Sequence, residues 1–85
     1  MKIQLRFFAS VREALGVAQE SVTLPAQVQT VGDVRDFLAA RGGIWAEVLA
    51  EGRALRMAYD HVMTEAETAI ADGGEVAFFP PVTGG

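Results

Sequence analysis

The feature that most constrains the fold of this chain is a pair of apolar strand segments, one at each end. Residues 2–9 alternate between polar and apolar side chains, a period of two that is typical of a half-buried strand. The inward positions of this strand are predicted to be Ile3, Leu5 and Phe7. Residues 75–79, EVAFF, are rich in apolar side chains, and Pro80–Pro81 ends the strand because a prolyl nitrogen cannot donate to a ladder. Two segments this apolar are expected to be central strands of a sheet.

The longest helical pattern lies between these two strands. It begins at Thr30, whose side chain is predicted to form a capping box with Asp33, and it ends at a pair of glycines. Its apolar positions recur at helical spacing and are Val31, Val34 and Leu38. Arg35 is expected on the solvent side of this helix. A shorter helix, SVREALG, is predicted after the first strand, with Ser10 as its N-cap and Gly16 as its end.

Shorter segments complete the pattern. A second strand is predicted over residues 18–24, a second short helix over IWAEVLAEG, and two more strands over residues 55–59 and 61–64. The order β, α, β, α, α, β, β, β predicts an α+β fold in which a mixed sheet packs on one main helix. With the two terminal strands parallel and adjacent, this arrangement is the β-grasp. The domain is expected to span residues 1–79, and residues 80–85 are expected to form an extended tail.

Composition excludes several classes of function. The 85 residues contain no cysteine, so the chain has no disulfide, no thiolate metal site and no cysteine nucleophile. Its seven basic residues do not cluster along the sequence, which argues against nucleic acid, and a net charge of −4 favours a basic partner. No segment resembles a signal peptide or a membrane span, so a cytoplasmic location is expected. The single histidine, His61, has no ligand partner at suitable spacing, and no metal site is predicted.

The chain ends FFPPVTGG, and this tail carries the predicted chemistry. Pro80–Pro81 stiffens the backbone into an extended rod, and Val82–Thr83 continues it with β-branched side chains. Gly84–Gly85 has no Cβ atoms and can enter a narrow channel. The terminal carboxylate becomes electrophilic when ATP-dependent adenylation supplies AMP as a leaving group, and sulfur can then displace AMP to give a thiocarboxylate. A Gly-Gly end also arises by chance, so the pair alone does not decide the function.

Two segments, FFASVREALG near the start and GGEVAFFPPVTGG at the end, resemble the small, sulfur-carrying subunit of molybdopterin synthase. The resemblance spans essentially the whole chain and implies the β-grasp fold shared with ubiquitin. It implies that an E1-like activating enzyme adenylates Gly85 with ATP and that a sulfur donor then makes the thiocarboxylate, a 1-thioglycine. The large subunit would pass this sulfur to cyclic pyranopterin monophosphate, forming the dithiolene of molybdopterin. The tail residues expected inside the large subunit are Pro80, Pro81, Val82, Thr83 and Gly84.

The same resemblance implies a division of labour between subunits. The synthase is expected to be a heterotetramer of two small and two large subunits, with the catalytic residues in the large one. This chain would then be a non-catalytic sulfur donor without a permanently bound cofactor. Partner docking is implied for an apolar patch of Phe8, Val62 and Phe79, because Phe8 and Phe79 fall on the outer faces of their strands. The alternative is that helices or loops cover both phenylalanines.

Two short segments depart from the family pattern. Gly73–Gly74–Glu75 lacks the usual acid before the last strand, and Ala58–Tyr59 replaces the usual Val-Asn pair. Three other functions stay open from the sequence. They are the sulfur carrier of thiamin synthesis, a ubiquitin-like modifier whose Gly85 forms isopeptide bonds with lysines, and a binding domain whose tail has no chemistry.

Overall fold

A computed structural model describes residues 1–81 of the chain. The strands are β1 (Lys2–Phe7), β2 (Gln19–Thr23), β3 (Arg56–Tyr59), β4 (Val62–Thr64) and β5 (Glu75–Phe79). The helices are α1 (Ala9–Leu15), α2 (Val31–Ala39) and α3 (Gly43–Leu49). Every strand and helix predicted from the sequence is therefore present, with small differences at the ends.

The strands form one mixed sheet in the order β2-β1-β5-β3-β4. β1 and β5 are parallel and adjacent at its centre, whereas the pairs β1–β2, β3–β5 and β3–β4 are antiparallel. In this register Leu5 is opposite Val76, and Phe7 is opposite Phe78. The predicted α+β β-grasp, with both terminal strands in the middle of the sheet, is confirmed.

The hydrophobic core lies on one side of the sheet, which we call the helix face. Apolar side chains from all three helices pack there against β1 and β5, and removal of this surface from water drives folding. Its fully buried members include Ile3, Leu5, Val31, Val34, Leu38, Val76 and Phe78. The alternate strand residues point to the other side, which we call the open face. The open face carries Lys2, Gln4, Arg6, Arg56, Ala58, Glu75, Ala77 and Phe79.

The main helix α2 begins as predicted. The Thr30 hydroxyl accepts a hydrogen bond from the Asp33 amide at 3.1 Å, and the Asp33 carboxylate accepts one from the Thr30 amide at 3.2 Å. The two bonds satisfy amides that have no partner within the helix. The predicted capping box is therefore confirmed.

The predicted start of α1 is wrong. The helix begins at Ala9, Phe8 occupies the N-cap position, and Ser10 lies inside the first turn without a capping hydrogen bond. The reason is that the Phe8 amide still donates to the Phe78 carbonyl at 3.2 Å, so β1 runs directly into the helix. The predicted end at Gly16 is confirmed, with a left-handed φ of 79° at that glycine.

Arg35 is not simply a solvent-facing residue of α2. Its guanidinium donates to the carbonyls of Leu49 at 2.8 Å, Ala50 at 2.5 Å and Arg53 at 2.6 Å. These carbonyls belong to the end of α3 and the loop that follows it, where backbone acceptors lack helical partners. Partial burial lowers the pKa of Arg35. The expectation from helical periodicity was wrong because α3 folds back over this position.

A second arginine holds β2 to the helices. Arg41 donates to Glu20 through both amino groups and stacks over the Trp45 ring at 4.4 Å. Trp45 in turn meets Phe7 edge-on, with ring centroids 5.6 Å apart. The hydrogen bond from Arg41 lowers the pKa of Glu20 and raises that of Arg41.

Candidate docking face and C-terminal arm

The C-terminal arm leaves the middle of the sheet. β5 ends at Phe79, Pro80 is half-buried, and Pro81 is exposed. The other tail residues named from the sequence lie outside the described residues: Val82, Thr83, Gly84 and Gly85. The described arm therefore gives the point of departure, which is the end of a central strand beside the open face.

Phe8 and Phe79 meet at this point of departure. Their rings are edge-to-face with centroids 6.3 Å apart, a favourable aromatic geometry. Phe8 is 40% exposed, and Phe79 is half-buried. Because both residues keep part of their surface accessible among residues 1–81, the structure favours an accessible aromatic pair over a covered one. Its role in docking stays a prediction.

The aromatic pair borders a groove of about 630 Å³ on the open face. Ala58 of β3 and Ala77 of β5 are directly opposite each other, and both line this groove. Because alanine has only a methyl side chain, the sheet is thin there and a depression forms between larger neighbours. Pro80 and Pro81 line the same groove, so the arm starts at its rim.

The other end of the groove is polar. Glu75 lies between His61 and Arg6, with its carboxylate oxygens 3.6 Å from His61 Nδ1 and 3.8 Å from Arg6 Nη1. The guanidinium of Arg6 also sits 5.3 Å from the centre of the Phe8 ring, which is a cation–π contact. Arg6 Nε is buried and has no hydrogen-bond acceptor among the described residues. The groove therefore joins an aromatic end to a charged end.

Val62, which the resemblance implies as a docking residue, does not line the groove, and its role in docking stays a prediction. It is 67% exposed, but its strand register places it opposite Tyr59, on the same side of the sheet as Val76. His61 lines the groove instead. The physical reason is the two-residue turn at Asp60 and His61, which sets the register of β4.

That turn holds His61 by specific backbone contacts. Asp60 and His61 both adopt left-handed conformations, with φ of 47° and 70°, as a tight hairpin requires. The Asp60 amide donates to the Glu75 carbonyl at 2.9 Å, and the Asp60 carboxylate accepts from the Glu75 amide at 2.9 Å. Two hydrogen bonds thus hold the turn against the start of β5. The sequence signal that could have shown this is Asp60, a residue type common in tight turns, which stands alone between the predicted strands 55–59 and 61–64.

The two departures from the family pattern prove to be one packed pair. A side-chain carbon added at Gly74 would lie 2.7 Å from Cε1 of Tyr59, which is closer than such atoms approach. The Tyr59 hydroxyl accepts a hydrogen bond from the Ala71 amide at 2.7 Å, which fixes the ring over the glycine. The large residue in β3 therefore requires the small one before β5. This coupling is invisible in the sequence because the two positions are fifteen residues apart.

Comparison with known proteins decides the family. The sequence model described as the ThiS family matches residues 5–85. The chain belongs to the ThiS family.

Relatives of this ThiS-family chain align over its whole length. The molybdopterin synthase sulfur carrier subunit of Haemophilus influenzae is 40% identical over 98% of this chain and 99% of the relative. The small archaeal modifier protein 3 of Haloferax volcanii is 35% identical over 100% of both chains. The solution structure of the HVO 2177 protein of Haloferax volcanii superimposes with a TM-score of 0.80 and 32% identity, covering 100% of this chain and 87% of that one. The resemblance inferred from the two end segments is confirmed.

The described part of this ThiS-family chain offers neither a metal site nor a membrane-spanning helix. Among residues 1–81 no group of three or more His, Asp or Glu side chains is arranged to hold a metal ion. The described helices include none that is long and apolar enough to cross a membrane.

Proposed function

We propose that this chain is the sulfur-carrier subunit of a molybdopterin synthase. The observation that carries the proposal is its end-to-end identity of 40% with a subunit of that name. The prolyl arm adds support, since it leaves a central strand beside an apolar groove. This position suits a chain end to which one partner adds sulfur and from which another partner removes it.

The proposed chemistry takes place at the carboxylate of Gly85. Adenylation joins a carboxylate oxygen to the α-phosphorus of ATP and releases pyrophosphate. A donor that delivers sulfur at the oxidation level of sulfide then attacks the acyl carbon, and AMP leaves. In the large subunit the thiocarboxylate sulfur attacks a side-chain carbon of cyclic pyranopterin monophosphate, and the oxygen on that carbon leaves, either as water or by opening of the cyclic phosphate. Hydrolysis of the acyl–sulfur bond then returns the carboxylate and leaves the sulfur on the pterin. Two such transfers complete the dithiolene.

The open face is proposed to hold each partner while the tail reacts. Phe8 and Phe79 supply an exposed aromatic pair of the kind that dominates binding energy at protein interfaces. Val62 lies in the edge strand β4 and is turned from the open face, so it would contact only the margin of such a partner and contribute little. The proposed assembly with the large subunit is a heterotetramer, and the E1-like activating enzyme would use the same face at a different time. The proposed location of this function is the cytoplasm.

Intact-mass spectrometry tests the chemistry. The purified chain is incubated with ATP, the activating enzyme and a sulfur donor, and a species heavier by the difference between sulfur and oxygen is expected. Adding the large subunit and cyclic pyranopterin monophosphate should return it to the original mass and form molybdopterin. A variant that lacks Gly85 is the control: it should fold with an unchanged melting temperature and accept no sulfur. Sulfur loading of that variant, or a loaded form that the large subunit leaves untouched, would contradict the proposal.

A second function is favoured by a different observation. The 35% identity with a small archaeal modifier protein supports a role in which Gly85 forms isopeptide bonds with lysines. Digestion of proteins from the native cell, followed by mass spectrometry, would reveal lysines that carry the Gly-Gly remnant of this tail.

The role of a sulfur carrier in thiamin synthesis is tested in the same way as the main proposal. The sulfur-loaded chain is offered to a thiazole-forming enzyme in place of the large subunit.

A further inference from the structure

The charges of this chain are divided unevenly between its surfaces. The whole chain has seven basic and eleven acidic residues, for a net charge of −4. On the open face, the strands carry three cationic residues and one acidic residue, which makes 3 − 1 = +2. The cationic residues are Lys2, Arg6 and Arg56, and the acidic one is Glu75. The strand residues of the face that holds the groove therefore carry a net positive charge on an acidic protein.

Each phenylalanine of the aromatic pair has an arginine beside it. Arg6 lies over the Phe8 ring, and Arg56 is directly opposite Phe79 across β3 and β5. Arg56 is exposed, and the Arg6 side chain is 39% exposed. The aromatic pair is consequently bordered by two basic residues, and one of them has its guanidinium against the Phe8 ring.

The acidic groups beside this face are Glu75, which is half-buried, and Asp60, Glu65 and Asp72, which are exposed in the turns around the strands. The side chain of Glu75 is only 21% exposed and is set back between Arg6 and His61, whose side chain is 79% exposed. Asp60 uses a carboxylate oxygen to accept from a backbone amide. Glu65 lines a separate depression beside Arg56 at the β4 edge. The basic character of this face therefore belongs to the strand residues around the groove, and exposed carboxylates lie at its margin.

We propose that the open face recognises a protein surface that is acidic around an apolar centre, with Arg6 and Arg56 as the specificity-determining residues. This inference rests on the proposed function, because it names the chemistry that the large subunit or the activating enzyme must present. It reverses the expectation drawn from net charge, which favoured a basic partner. Complementary charges at an interface rim steer association and exclude wrong partners, whereas the apolar centre supplies most of the affinity.

The first experiment measures association with the purified large subunit by stopped-flow or biosensor kinetics. The double variant Arg6→Gln/Arg56→Gln is compared with a control, Ala26→Glu/Gln27→Glu, which changes the net charge equally at exposed positions of the loop after β2. At low ionic strength the association rate should fall about tenfold for the arginine variant and stay within about twofold for the control. The salt dependence of the rate should weaken only in the arginine variant. Equal rates for the two variants, or faster association without the arginines, would overturn the inference.

A second experiment does not depend on the proposed function. The ¹⁵N-labelled chain is titrated with octaglutamate and, separately, with octalysine, and amide shifts are mapped by NMR. Octaglutamate should shift amides of β1, β3 and β5 around Arg6 and Arg56, and the double glutamine variant should lose these shifts. Shifts confined to other surfaces, or a preference of the open face for octalysine, would refute it. If the wild-type chain ignores the large subunit but passes this test, the proposed function fails and the inference stands.

Discussion

The two sides of the central strand β5 use apolar side chains in different ways. On the helix face Val76 and Phe78 are fully buried, and the Phe78 ring stacks on Phe7 with centroids 6.2 Å apart. On the open face Ala77 leaves a depression and Phe79 borders it. Large side chains on the helix face fill the core, whereas on the open face a small residue beside a large one forms a groove. An apolar strand is therefore not by itself evidence of core on both sides.

The two faces also differ in charge. The core contains no polar or charged residue among those described, since burying a charge without a partner is costly. The open face tolerates arginines and a recessed glutamate because their charged groups keep access to water or to each other. Substitutions in the two faces should thus separate stability from partner binding.

The largest effect is expected on the helix face. Phe78→Ala removes a fully buried ring, and we expect the free energy of unfolding to fall by about 3–5 kcal/mol. Urea unfolding at neutral pH measures this. A loss similar to that of Phe79→Ala would show that the two faces do not differ in packing.

A substitution on the open face should weaken partner binding more than it lowers the free energy of unfolding. Phe79→Ala is expected to weaken binding of the large subunit by about 2 kcal/mol, as for other central aromatic residues of interfaces. The free energy of unfolding should fall by only about 1 kcal/mol, since chiefly the contact with Phe8 is lost. Calorimetric titration and urea unfolding of the same sample compare the two values. Val62→Ala is the matched control. It should weaken binding of the large subunit less than Phe79→Ala does, because the strand register turns Val62 away from this face. A larger loss of binding for Val62→Ala than for Phe79→Ala would disprove the assignment of faces.

The packing of the Tyr59 ring against Gly74 can be tested as an energetic coupling between the two residues. Gly74→Asp should lower the free energy of unfolding by about 1–3 kcal/mol, because the new side chain collides with the Tyr59 ring. Tyr59→Asn in the same chain should recover most of that loss. The measurement is a double-mutant cycle by thermal or urea unfolding. Strictly additive effects would mean that the two departures from the family pattern are independent.

The smallest change in the free energy of unfolding is expected for the ion pair of Glu20 and Arg41, which joins β2 to the helices. The hydrogen bond from Arg41 holds the pKa of Glu20 below its ordinary value of 4.5, so the ionised form stabilises the folded chain. This stabilisation is present above pH 4.5 and is lost as the pH falls through the lowered pKa. Glu20→Gln should therefore lower the free energy of unfolding at pH 7 by about 0.2–1 kcal/mol, with the gap to the wild type closing in acid. Urea unfolding across pH 3 to 7 measures the gap; a gap that widens in acid would reverse the sign.

Much of the fold could be predicted because its signals are local. Alternation in β1, the capping box of Thr30 and Asp33, and the stop at Pro80 all involve neighbours in the chain. The predictions for Ser10 and Arg35 failed where a distant segment intervened. Sheet pairing carried β1 into α1, and the end of α3 supplied carbonyls to Arg35. The division into residues 1–79 and 80–85 stays a prediction, since most of the tail lies beyond the described part.

By itself the sequence determined the order of the elements and the apolar positions of the central strands, and it predicted acyl chemistry without cysteine for the Gly-Gly tail. Only the tertiary structure decided which residues share a face. It placed His61 rather than Val62 at the groove, packed Tyr59 over Gly74, and put an arginine beside each member of the aromatic pair. The reason is that strand register joins residues distant in the chain, and a shift of one position would move every side chain to the opposite face.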